Sequence, residues 1–294
     1  DSTAGVITVD SITASGSVTL NATGGIITVS AGETVDAGAN AITLISDDFD
    51  VAGNVTTTGD VNVRRQTAGA LGLGTLGLLV DAELDRITAA NLTIGAGGNV
   101  NDIKVDGVSN NTVSALVTLN SSGAIDFVNN PSTFANAGLT AFAGTTFDNT
   151  VLITTGGNVD LDSTIGMTLS GGITANGLVV DAKSGGTLKI EGVNLFPTGN
   201  GNIRLQGNAI DIDVAIDAGT GNINITSTAG NINIGGTLNG GATMVSSKAE
   251  LVATAAISSS NIVDLHSDDL MTISGGVTTL GGNISADAKG ATLT

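Results

Sequence analysis

The peptide Gly221-Asn222-Ile223-Asn224-Ile225 is followed nine residues later by Gly230-Asn231-Ile232-Asn233-Ile234. Weaker versions occur at Ser17-Val18-Thr19-Leu20, Ile26-Ile27-Thr28-Val29, Asp60-Val61-Asn62-Val63 and Asn158-Val159-Asp160-Leu161. Each is a small polar or turn residue followed by apolar, polar, apolar. Such alternation over four to six residues marks a short strand with one buried face. Its recurrence roughly every eight to ten residues, between Gly, Asn, Asp, Ser and Thr, marks a repeat architecture.

Strand starts are expected near residues 6, 18, 26, 42, 51 and 61, across 151–234, and from Met244 to the end. Two or three such pieces make a coil of about 18–30 residues, as in parallel β-solenoids, so the chain holds roughly 10 to 15 coils. With strands about 4.8 Å apart, the coils would stack into a rod on the order of 50 to 70 Å long. The expected fold is all-β: a parallel β-helix (β-solenoid) forming a single elongated rod, with residues 1–294 as one continuous domain. Inward Val, Ile and Leu would form ladders, and Asn and Thr at equivalent turns would stack in hydrogen-bonded rows.

Two stretches break this rhythm and are expected as irregular insertions, near 64–85 and near 127–150. The first contains Arg64-Arg65 and the Gly/Leu-rich run to Val80, then one helical turn around Asp81–Arg86. The second holds Phe127, Phe134, Phe142 and Phe147 with Pro131, read as a ladder or plug in the core rather than a ligand surface. Phe196-Pro197-Thr198-Gly199-Asn200-Gly201 reads as a corner loop.

Composition narrows the function. The chain has 43 Gly, 2 Pro, no Cys, no Trp and no Tyr. Scarce Pro suits a fold in which nearly every backbone N–H is needed by a neighbouring strand. Without Cys there is neither a disulfide framework nor a thiolate metal site. A net charge of −18 opposes binding to nucleic acid and to anionic lipid. No apolar run approaches the length of a membrane span, so no membrane insertion is expected. The chain begins at Asp1 with no signal-like segment, and is expected to be a processed product or an excerpt of a longer one.

Residues 41–74, AITLISDDFDVAGNVTTTGDVNVRRQTAGALGLG, and 78–95, LLVDAELDRITAANLTIG, resemble the repeats of large filamentous-haemagglutinin-like exoproteins of Gram-negative bacteria. The match is close over 41–95 and generic elsewhere. Ala70–Leu79 departs from it, being Gly/Leu-rich where relatives carry a more polar loop. The family's amino-terminal secretion domain is not among these residues. The resemblance implies a right-handed parallel β-helix, two-partner secretion through an outer-membrane transporter, and adhesion or extracellular matrix as the role. It supplies no ligand.

The candidate chemistry is thin. Asp47-Asp48, Asp211/Asp213/Asp217 and Asp268-Asp269 could offer oxygen ligands to Ca²⁺, but alternation of the Asp211 group with Ile210, Ile212 and Ile216 reads as a solvated strand face. Paired carboxylates also serve glycoside hydrolysis, yet the chain lacks aromatic platforms and has only nine basic residues. His266, the single histidine, could be set with Ser258, Ser259, Ser260 or Asp264 into a triad, but no nucleophile elbow accompanies it; it reads as a surface residue. Arg64-Arg65 reads as a solvated corner paired to Asp60 or Asp85, or else as a contact to another protomer. Asn21, Asn54, Asn91, Asn120 and Asn283 head Asn-x-Ser/Thr sequons. Thr56-Thr57-Thr58 is too irregularly spaced to form an ice-binding rank. No catalytic, cofactor-binding or metal residue is assigned, no cofactor is expected, and no enzyme activity is expected. The expectation is an extracellular or cell-surface structural and adhesive shaft, secreted by a Gram-negative bacterium. Its partners would be its own copies end to end or further repeats of the same polypeptide, the secretion transporter, and host-cell or matrix glycans. The alternative is a carbohydrate-active β-helix enzyme, a polysaccharide lyase or hydrolase.

Overall fold

The computed structural model describes residue 2 and residues 5–290 apart from 76, 96–98, 178, 193, 194 and 198–200; of residues 195–197 only the backbone is described. Most of the expected corner loop at 196–201 thus lies outside the described residues. The described chain is nearly all β: short parallel strands stacked as a β-solenoid of about 13 turns. Asp81–Leu84 is the one helix among the described residues. The chain divides into two compact units, Asp1–Thr145 with Thr154–Gly157, and Thr146–Ile153 with Asn158–Thr294.

In the second unit one turn consists of Ile223–Ser227, Ile232–Ile234 and Leu238–Gly240, after which Thr243–Ser247 opens the next. Each strand pairs in parallel with its counterpart one turn on: Ile223 faces Thr243, which faces Val263, which faces Ile284. Because the side-chain period along a strand is two, this register keeps like faces together through every turn. One inward column runs Leu161, Ala182, Leu205, Ile225, Val245, Leu265; another runs Leu188, Ile210, Ile232, Leu251, Met271. All are buried. Each fully buried Ile or Leu contributes about 1.5–3 kcal/mol, and one turn buries five of them, Ile223, Ile225, Ile232, Ile234 and Leu238, so a thin core is stable because it is long.

The first unit begins with three ladders. Val6–Val9 pairs with Ile26–Val29, which pairs with Asp48–Val51; Ile12–Thr13 leads through Thr34–Asp36 to Asn54–Thr56; and Val18–Asn21 leads through Ile42–Ile45 to Asp60–Arg64. The first ladder ends at Asp48–Val51, and a new one starts at Gly69–Gly74, which pairs onward with Val100–Asp106. Another starts at Ser109–Asn110, pairing with Ser132–Phe134. Continuity is carried by the long strand Ile87–Ile94. Its first residues pair with Val55 and Thr56, and its last four with Asp60–Val63 and then Leu116–Leu119 of Val113–Ser121. The break coincides with the segment from Arg64 to Asp85 that interrupts the sequence rhythm.

The stretch 127–150, expected as an irregular insertion, is instead made of strands: Ile125–Phe127, Ser132–Phe134, Gly138–Ala143 and Thr146–Asn149. Phe127, Phe134 and Phe147 are buried, as a core ladder requires, whereas Phe142 points outward. The rhythm is obscured there because Ser132, Asn149 and Gly138 occupy buried positions that elsewhere hold aliphatics.

Corners are built by small residues. Ser184, Ser227, Ser247 and Ser267 end equivalent strands, are buried, and donate to the carbonyl three residues on: Thr187, Gly230, Glu250 and Leu270, at 3.1, 2.7, 2.9 and 3.1 Å. Each hydroxyl closes a bend that backbone alone leaves unsatisfied. At Gly186 a Cβ would lie 1.5 Å from the Ile165 carbonyl oxygen of the preceding turn. Any side chain there would push the turns apart.

Thr243 is a flaw in this order. It stands between Ile223 and Val263 in an inward column, fully buried, and its hydroxyl has no partner. A buried polar atom without a hydrogen bond costs about 1–3 kcal/mol. Thr243→Val, of nearly the same shape, should therefore raise the urea midpoint, with a gain of about 1 kcal/mol. Ile225→Ala in the neighbouring column should lose about 2–5 kcal/mol in the same titration.

Candidate functional site

Three polar clusters stand out, and all three bind the chain to itself. The first lies in the last turns of the second unit. His266 faces Ser246 and Asp287 in register, and Lys248, Asp268 and Lys289 each lie two residues beyond those positions. Asp268 receives Lys248 Nζ at 3.0 Å, Lys289 Nζ at 2.9 Å and His266 Nε2 at 3.0 Å; His266 Nδ1 lies 3.3 Å from Asp287. Hydrogen bonds from Lys289, His266 and Lys248 hold the Asp268 carboxyl far below the usual carboxylate range, and Asp268 in turn raises the Lys289 ammonium. Asp268 is thus an anion between two cations along the stack. His266 is half-buried between two carboxylates and does not bond to Asp264. Ser258, Ser259 and Ser260 direct their hydroxyls to Leu238, Gly241 and Gly241 carbonyls, not to His266.

The second cluster surrounds Asp106, which sequence reasoning passed over. This carboxylate is buried and takes only neutral donors: Thr75 Oγ1, Asn129 Nδ2 at 3.0 Å, and Asn130 through both its backbone N–H at 3.1 Å and its Nδ2 at 2.8 Å. Bonds from Asn129 and Thr75, then Asn130, outweigh burial and hold its pKa below the usual value. Asn129 adopts a left-handed φ of 59°, as Asn tolerates in turns. Gly74, at φ 76°, leaves room for the Asp106 carbonyl, which a Cβ would meet at 2.0 Å. The Asn129-Asn130 pair next to an Asp one turn earlier was the available signal.

The third cluster corrects the reading of Arg64-Arg65. Arg65 does not pair with Asp60 or Asp85. It lies 3.8 Å from Asp47 and donates to the Ala70 carbonyl, while Asp47 accepts from the Thr67 amide and hydroxyl at 2.8 and 2.7 Å. Partial burial opposes ionisation of Asp47, but Thr67 and Arg65 hold its pKa low. Asp60 instead accepts from Asn91 Nδ2 at 2.8 Å, which ties up one of the sequon asparagines; Asn54, Asn120 and Asn283 are exposed. Thr57 is a buried corner residue bonded to the Asn40 carbonyl at 2.6 Å.

Asp211 and Asp213 do face outward from Ala209–Ile212 and its end, as their alternation with buried Ile210 and Ile212 implies. Burial, then the charge of Asp213, raises the Asp211 pKa. The two line a shallow recess of about 230 Å³ with Asn233, Ile234, Gly235, Val252 and Thr254, none of them aromatic, and Lys189, in register with Asp211 one turn earlier, partly offsets that rise. Asp217 accepts from Gly219 N–H and Asn239 Nδ2 at 2.9 and 3.0 Å. A second recess, about 190 Å³, joins Asn202, Asn222, Asn224, Arg204, Val179, Ile203 and Met244. Its asparagines are those of the Gly-Asn-Ile motif. Asn202 Oδ1 accepts the Asn222 N–H at 2.8 Å, and Asn222 Oδ1 the Ala242 N–H at 3.1 Å, so each amide ties its corner to the next. Among the described residues no group of three or more His, Cys, Asp or Glu converges as a metal site would need.

No family model, no curated protein and no solved structure matches this chain.

Asp106 makes a testable acid dependence. Its folded pKa is depressed, so its contribution is complete above the unfolded carboxylate pKa of about 4 and is lost as pH falls through the lower folded value. Asp106→Ala should lower stability at pH 7 and flatten the fall in stability below about pH 4. Thermal melts across pH 2–7 compare the two slopes.

Proposed function

We propose that this chain is a non-catalytic structural element: a β-helical shaft segment of a secreted, surface-exposed or matrix protein of the filamentous-haemagglutinin-like kind. The observation that carries the reading is the register-locked stacking of turns, with polar side chains spent on corners and inter-turn bonds. Asp106, Asp268, Asp47 and Asn222 all bind neighbouring turns of this chain, and groups committed this way are not poised over a substrate. The resemblance at residues 41–95, with its DAELDRITA stretch, supports the family and an extracellular role. Glycans of a host cell or matrix fit as targets of such a shaft, and an outer-membrane transporter as its route out.

The shaft would extend by stacking. Ile284 occupies the inward column of Val263, yet Ile284 is 51% exposed while Val263 is fully buried. Leu280 is 90% exposed beside it. An uncovered strand with apolar inward positions is a template for another turn. That turn comes from a second copy or from further repeats of the same polypeptide. Head-to-tail contacts of this type do not close on themselves and give filaments.

Electron microscopy of the purified chain across a concentration series tests the association. Linear filaments that lengthen with concentration, and that Ile284→Asp abolishes while preserving the strand circular dichroism, are expected. Discrete particles of one size at every concentration would refute stacking between copies.

A further inference from the structure

The break in the first unit leaves strand edges in the middle of the chain, where a second chain could pair, and each is covered by local side chains or by a short backbone bridge. In Asp48–Val51 the Asp48 N–H points back to the Gly25 carbonyl at 3.2 Å. Parallel pairing alternates direction along a strand, so the Phe49 and Val51 N–H groups point to the side where, among the described residues, no strand follows. Asp48 Oδ1 accepts the first at 2.9 Å, and Glu83 Oε1 the second at 3.0 Å.

Glu83 reaches that edge from the helical turn Asp81–Leu84, and its other oxygen accepts the Val80 N–H at 2.8 Å. Just ahead, Leu79 bridges in parallel to Leu73, and its carbonyl accepts the Gly74 N–H at 3.1 Å, which covers part of the edge of Gly69–Gly74. Arg65 covers the Ala70 carbonyl of the same edge. On the far side of the helix, Asp81 Oδ1 accepts the N–H of Ser109, in the strand that begins the next ladder, at 2.6 Å. Leu84 is buried, and its carbonyl accepts from Asn110 Nδ2 at 3.2 Å. One turn of helix therefore places a carboxylate on two separate open edges.

We propose that the segment Leu78–Leu84, with Asp48, is an internal edge cap that keeps the broken ladders from pairing with a second copy of this chain. Unpaired N–H groups on an exposed edge recruit strands from other molecules, and charged groups set against them prevent it. The proposal stands independently of the shaft reading, because it concerns residues 48–51 and 109–110 and not the surface at Leu280 and Ile284.

The chain has no cysteine, so a single introduced thiol reports on this edge alone. Asp50 is exposed on Asp48–Val51. Under mild oxidation, D50C/D81A/E83A should give more disulfide-linked dimer than D50C by on the order of tenfold, what one regained intermolecular hydrogen bond supplies. D50C/D81N/E83Q keeps a carbonyl oxygen at both positions and should match D50C. Equal cross-linking in all three overturns the proposal. Should the double alanine variant lose its strand circular dichroism, D48A/D50C decides. It uncaps only Phe49, and cross-linking no greater than that of D50C overturns the proposal equally.

Discussion

Every feature of this protein depends on the parallel hydrogen bonding of a residue to its counterpart one turn later. That constraint gives most strands two neighbours and makes the turn, about 20 residues from Ile223 to Thr243, the unit of structure. Because side chains alternate along each strand, a fixed register sorts residues into inward columns of Ile, Val and Leu and outward columns of Asp, Asn and Thr. A slip of one residue would turn every Ile in the Gly-Asn-Ile-Asn-Ile strands outward. The register is reinforced at corners, where buried serines close the bend and Asn202 and Asn222 each hold the next turn's amide. Stability is then additive along the axis, as in other solenoids.

The same constraint explains how charge is used. With a net charge of −18, like charges stacked turn upon turn would repel along every outward column. The chain avoids this in places by interleaving cations, as in Lys248, Asp268 and Lys289, or Asp181 and Arg204 at 2.9 Å. Elsewhere it spends carboxylates on backbone N–H groups: Asp48, Asp81 and Glu83 at the break, and Asp106 on a pair of asparagines. Where two acids do sit together, as at Asp211 and Asp213, burial and repulsion raise a pKa.

The alternation legible at Ile26–Val29, Asp60–Val63, Asn158–Leu161 and Ile223–Ile225 marks true strands, and the solenoid follows from their recurrence. The third strand of each turn was harder to read. Ile12–Thr13, Ile216–Asp217 and Leu238–Gly240 are two or three residues long, too short to show a period. Residues 127–150 hid their strands because polar side chains occupy buried corner positions. Local sequence could not pair Arg65 with Asp47, Asp106 with Asn129 and Asn130, or Glu83 with Val51, since these contacts join residues about one turn apart and depend on register. The DAEL peptide was legible as one helical turn, but its task became visible only with both ladder edges in place.

Force spectroscopy on single molecules held by their two ends tests the central claim most directly, that successive turns are separable units held by backbone ladders. Turn-by-turn unravelling is predicted, in steps that release about 20 residues in the second unit, the register spacing of Ile223 and Thr243, and a longer step at the break, where Asp60 pairs with Asn91. Release of the whole chain in a single event, or extension without steps, would contradict it.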